Sequence, residues 1–167
     1  MDIGTIVIGL ITVALCIIPF FLMRKSKQLN EQNLINGLQA LADSYHCELA
    51  AKEVSMDFVI GISASNNYVF YYKYRNGKMQ EEAIPLDAID RCEVMTRRRT
   101  IKAGKKRETV YEKLELAFIP QHAQTPPTRV TFFDADEQIQ PNGQLKLIRD
   151  WEARINEVLK ARKLVNS

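Results

Sequence analysis

The chain has 167 residues, of which 46% are apolar, with a formal charge of +3 and three cysteines; this suits one modest domain. It excludes collagen, a disulfide scaffold, a polytopic transporter and a disordered chain. The apolar residues are unevenly distributed, because Ile3 to Met23 contains no charge and 16 of its 21 residues are apolar, whereas the 144 residues after Met23 hold 60. The reading is therefore an N-terminal anchor followed by one globular domain.

As a helix, the 21 residues from Ile3 to Met23 would rise about 31 Å, against a hydrocarbon core of roughly 30 Å. Pro19 falls toward one end of this segment, where a missing amide hydrogen bond costs less than at the bilayer centre. Asp2 precedes the segment, while Arg24, Lys25 and Lys27 follow it directly. Lysine and arginine favour the cytoplasmic side, so the expectation is a single pass in the cell membrane with the N-terminus outside and the C-terminal domain in the cytoplasm. A cleaved signal peptide would need a basic n-region and a shorter apolar stretch. A lipoprotein signal would need a small residue where Leu15 precedes Cys16. Cys47 and Cys92 have no metal-type spacing, as in a reducing compartment.

After the basic stop, Ser26 to Tyr45 is polar but carries Leu34, Leu38, Leu41 and Tyr45 at 4-3-4 spacing. It reads as a stalk helix, either covering an edge of the following sheet or forming a short coiled-coil seam that makes a homo-oligomer. The period then changes. Asp57 to Ala64 and Tyr68 to Tyr74 are aromatic and β-branched around a turn at Ser65-Asn66-Asn67, and Asn76-Gly77 predicts a second tight turn into Met79 to Ile84. Pro85 to Ile89 reads as a brief turn with Leu86 and Ile89 pointing inward. Further strands are expected at Arg91 to Arg98, Val110 to Ile119 and Thr128 to Phe133. Pro141-Asn142-Gly143 interrupts, and Leu147, Ile148, Trp151, Ile155, Val158 and Leu159 recur at helical spacing, opposite Arg149, Glu152, Arg154 and Lys160. Trp151 and Ile155 are the expected core residues of that stripe.

About six strands then a helix, without βαβ alternation, indicate an α+β, mainly β domain: a small antiparallel sandwich or partly open barrel capped by the C-terminal helix. The divisions are 1–25 for the anchor, 26–46 for the stalk helix and 47–167 for the domain. The meandering strands, the Pro85-Leu86-x-x-Ile89 step and a C-terminal amphipathic helix bearing Trp151 together resemble a pleckstrin-homology-like domain of the bacterial membrane-tethered kind. The resemblance covers about Cys47 to Lys163 and implies a seventh strand from Cys47 to Val54. In lipid-binding members of that family, the loop between the first two strands supplies basic phosphoinositide contacts. Here Ser63 to Asn67, between the first two clear strands, has no basic residue, so headgroup specificity does not transfer to any residue.

Charge is the sharper signal. Arg97, Arg98, Arg99, Lys102, Lys105, Lys106 and Arg107 place seven positive charges in eleven residues without an acid. With Arg24, Lys25 and Lys27 set aside as well, the rest of the chain carries −7. Ala103-Gly104 at the centre of the cluster predicts a flexible basic finger linking two strands. Such a run serves either as a solvated connection that protects a sheet edge, or as a contact for anionic lipid headgroups or an acidic protein. Nucleic acid fits less well, because the tyrosines at 68 to 74 lie on another hairpin; Tyr71 and Tyr72 are the expected site of any exposed aromatic patch.

Reaction chemistry is not legible. His46 and His122 are 76 positions apart without ligand-spaced neighbours, and Asp134, Asp136 and Glu137 suit a turn better than a calcium loop. No nucleophile elbow, phosphate loop or dinucleotide fingerprint occurs, and no metal or cofactor is implied. The expectation is a membrane-anchored, non-catalytic interaction module. The alternatives are an oligomeric scaffold built on the anchor and stalk, and an enzyme whose site is dispersed in sequence.

Overall fold

A computed structural model describes residues 28–75, 77–103, 106–122 and 124–165, with the backbone alone at 101–103, 106–108 and 165. Among them, no helix is long and apolar enough to cross a membrane. The anchor expected at Ile3–Met23, the orienting residues Arg24, Lys25 and Lys27, and Asn76 lie outside the described residues.

Helix α1 (28–44) ends in a Schellman arrangement: the Cys47 amide donates to the Ala42 carbonyl and the His46 amide to Asp43, both at 3.0 Å, with His46 at φ +54°. An exposed His46 is thus a helix cap. Seven strands follow, β1 (Leu49–Val54), β2 (Phe58–Ser63), β3 (Tyr68–Arg75), β4 (Lys78–Pro85), β5 (Ile89–Ala103), β6 (Lys106–Pro120) and β7 (Thr128–Asp134), before helix α2 (Gln144–Val165). Strands β1 to β4 form one antiparallel sheet in chain order and β5 to β7 a second. The Leu86–Ala88 3-10 turn carries the chain between them and buries Leu86, with Ile89 beside it.

Alternation explains the layering. Phe58, Ile60, Ile62, Val69 and Tyr71 face Leu114, Leu116, Phe118 and Phe132 of the second sheet, and a bulge in β7 opposite Leu114 and Glu115 turns the adjacent Phe133 inward as well. The opposite face, with Val59 and Phe70, receives Leu34, Leu38 and Ala42 of α1. Three expectations are corrected here. The stalk helix covers the face of a sheet instead of its edge. Leu34 and Leu38, offered as a coiled-coil seam, are buried on the chain's own strands, with Leu41 packed alongside. Tyr71 is buried and donates to the Thr131 carbonyl at 2.6 Å. Tyr72 lies against α1, its ring where a Cβ on Gly37 would stand. The exposed tyrosine of that strand is Tyr74.

Helix α2 closes the open corner between the sheets. Ile148, Trp151, Ile155 and Leu159 are buried, and Trp151 Nε1 donates to Glu53 Oε2 on β1 at 3.2 Å. On its other flank the helix satisfies the free edge of β5: the Val94 amide donates to Glu152 Oε1 at 3.0 Å, and Asn156 exchanges bonds of 2.9 and 2.8 Å with the Cys92 amide and carbonyl. Glu152, read from its spacing as solvent-facing, is instead an edge cap that blocks further strand pairing.

Candidate functional site

The domain has two ends. At one of them, Asn30 at the start of α1 donates from Nδ2 to the Met56 carbonyl in the β1–β2 turn at 3.1 Å. Next to Met56, the buried Asp57 carboxylate receives Arg75 Nη1 at 3.0 Å and lies 3.5 Å from Lys73 Nζ. Lys73 also donates to Glu137 Oε2 at 2.6 Å, and Arg75 to the Glu137 carbonyl. Past the end of β7, Gln138 Nε2 reaches Asp57 Oδ1 at 3.3 Å. Lys113 on β6 is 3.8 Å from Asp134 and 3.1 Å from Glu115. Asp134 and Glu137 are therefore partners of cations, and Asp134 Oδ1 also accepts the Asp136 amide at 3.0 Å, forming the turn. A cavity of about 440 Å³ lies among Lys73, Arg75, Lys78, Lys113, Asp134 and Glu137.

The basic segment begins at this end. Strand β6 stops pairing with β7 at Lys113↔Asp134, but its pairing with β5 continues through Arg97↔Lys113, Arg98↔Tyr111 and Arg99↔Val110 to Lys102↔Arg107 and Ala103↔Lys106. The expected flexible connection between Arg98 and Val110 is thus corrected: both strands run on as a two-stranded ribbon. Backbone pairing needs no buried face, so a strongly polar sequence can form it. Six residue steps at ~3.3 Å carry the ribbon about 20 Å beyond the sheet. A bulge between Arg97 and Arg98 marks its root, where added twist redirects the strands.

Arg97, Arg98 and Arg99 are exposed, and the Arg98 guanidinium lies 5.0 Å from the Tyr111 ring centre. The register sets Arg97 opposite Lys113 and Lys102 opposite Arg107. Arg98, Lys102 and Arg107 belong to one row of cross-strand pairs, and Arg99 and Lys106 to the other. Lys105 lies outside the described residues. Sequence spacing found the cluster, but nothing in spacing revealed the ion group of Asp57, Lys73, Arg75 and Glu137 beneath it.

The other end is different in character. A groove of about 990 Å³ runs between the last turns of α2 and the β2–β3 turn, and Arg162 reaches across it to Asn67. The exposed His122 lies on the β6–β7 connection. Burial pushes the Cys92 thiol far above its ordinary range, which keeps it protonated and apolar. Burial likewise raises the Tyr71 hydroxyl, with Asp57 adding to the effect. Among the described residues, no three His, Cys, Asp or Glu side chains gather as a metal site. Compared with family models, curated proteins and solved structures, the chain matches none of them.

Proposed function

We propose that this protein is a single-pass, membrane-anchored interaction module with a pleckstrin-homology-like cytoplasmic domain, whose Arg97–Arg107 ribbon engages anionic lipid headgroups. One observation carries the reading: the chain arrives from its apolar N-terminal segment at the end of the domain from which the ribbon projects. Contacts from Asn30 to Met56, through Asp57, Arg75, Lys73 and Glu137, to Lys113 and Asp134 join the two places. Sheets of four and three strands closed by a C-terminal helix support the family resemblance.

Each Lys or Arg near an anionic leaflet contributes about 1 kcal/mol within a Debye length. With the anchor already holding the domain at the surface, this attraction acts mainly to orient it. Arg24, Lys25 and Lys27, which directly follow the apolar segment in sequence, add to the positive charge the chain offers an anionic leaflet. A lipid surface is preferred to an acidic protein because it is the anionic partner that the anchor itself supplies.

Anchoring and orientation are tested together in cells. The full chain is expected to remain in the membrane pellet after alkaline carbonate washing, and its C-terminal domain to resist protease added outside intact cells. Release by carbonate would overturn the anchor, and digestion from outside would overturn the orientation.

A further inference from the structure

We propose that Leu29, Met56, Tyr74, Met79 and Ile139 form an apolar crown that enters the headgroup layer beneath the domain. Their relative exposures run from 49% for Tyr74 to 102% for Ile139, although side chains of this kind are ordinarily drawn inward. They come from five separate segments, yet one end of the domain gathers them. Leu29 stands beside Asn30, which is bonded to the Met56 carbonyl. The Tyr74 amide donates to the Asp57 carbonyl at 3.1 Å, bringing the end of β3 to the same turn. Tyr74 pairs directly across the strands with Met79, and the Tyr72 hydroxyl lies 3.5 Å from Met79 Sδ. Gln138, bonded to Asp57, places Ile139 alongside.

The occupant is argued from the chain itself. Four residues, Arg24 to Lys27, separate the apolar Ile3–Met23 stretch from residue 28. Fully extended, that link spans at most about 17 Å. The crown is therefore tethered within reach of the headgroup layer, which is roughly 5–8 Å deep on each side of the hydrocarbon. Tyrosine suits that layer because its ring is apolar and its hydroxyl stays wet, and methionine adapts to irregular packing. Lys78 is exposed next to Met79, and the basic ribbon rises from the same end, so apolar side chains are flanked by cations as an anionic interface requires. The far end shows fewer among the described residues: Leu164 on the last turn of α2 is exposed, and Tyr45 rests against Tyr68 at 5.4 Å between ring centres. The crown orients the domain by apolar contact, independently of lipid charge.

This inference rests on the anchored reading, and the test separates the two. The full chain with Met79→Trp is reconstituted in nanodiscs containing zwitterionic phosphatidylcholine, with and without bromine on the acyl chains near the headgroup. The native chain supplies the background from the buried Trp151, and Met56→Trp is an independent second reporter. The expected result is a blue-shifted emission at both new positions, at least halved by brominated lipid without any anionic lipid present, while Tyr45→Trp at the far end is unaffected. Co-elution with nanodiscs but no quenching at either position overturns the crown and leaves the anchor standing. A blue shift without quenching means that protein, such as a second copy, covers the patch, and also overturns it. Failure to co-elute with lipid overturns the anchored reading and the crown together.

Discussion

Replacing Trp151 by alanine is expected to cost the domain about 3–5 kcal/mol and to lower its melting temperature by roughly 10–20 °C. Trp151 is 2% exposed and is packed into the cluster shared by both sheets. Removing the indole leaves a cavity in the corner that α2 closes, deletes the bond to Glu53 Oε2, and removes the ring over which Arg154 sits at 5.5 Å. The helix also holds the free edge of β5 through Glu152 and Asn156. Loosening it therefore exposes a strand edge as well as apolar surface, and the variant should aggregate on heating. Trp151→Phe retains most of the volume and is expected to recover more than half of the loss. Thermal unfolding followed by circular dichroism measures both, and a drop below about 5 °C for the alanine variant would show that α2 contributes little to the core.

The second large effect is electrostatic. Asp57→Ala leaves Lys73 and Arg75 without the carboxylate they share, while Glu137 remains for Lys73. The Lys73 side chain is only 11% exposed and that of Asp57 8%, so solvent replaces little of the lost interaction. Breaking a buried pair by removing one partner typically costs 3–5 kcal/mol; the surviving Glu137 contact places the expected loss near the lower bound, at about 3 kcal/mol. Gln138 loses its acceptor as well, which removes one of the bonds holding the loop that carries Ile139. Urea unfolding should show the midpoint falling with an unchanged slope. A midpoint equal to that of the native protein would mean the cluster is neutral to stability and that other contacts hold this end together.

How far the sequence revealed this arrangement depends on the kind of signal each element carries. Strands β2, β3 and β4 and helix α2 were legible within a few residues, because alternation, turn residues and a 3.6-residue stripe mark them directly. The inward Leu86 and Ile89 were legible for the same reason. Strand β1 was weak because Leu49-Ala50-Ala51-Lys52-Glu53-Val54 has no strand composition; it forms because β2 offers it a partner edge. The ribbon was legible only as charge, since seven cations suggest a loop and cross-strand pairing leaves no trace in composition. In α1 the spacing of Leu34 and Leu38 exposed a sticky face, but nothing local indicated that the chain's own sheet covers it. Glu152 was hidden by the opposite fault, a charged residue on a wet face whose role is set by a strand edge distant in sequence. The apolar crown combines single residues from five segments, so no window of sequence contains it.

The most direct test of the central claim is flotation of residues 24–167 with lipid vesicles. Both apolar clusters are built from residues between 34 and 159, so this fragment retains the whole described core without the anchor. Vesicles containing phosphatidylserine are compared with pure phosphatidylcholine vesicles at low and high salt, beside a variant with Arg97, Arg98 and Arg99 changed to Glu. The account predicts flotation with anionic vesicles at low salt, markedly stronger than with neutral ones, and reduced toward the neutral-vesicle level both at high salt and in the triple variant. Equal binding to both lipids, or a triple variant that floats as well as the native fragment, would contradict it.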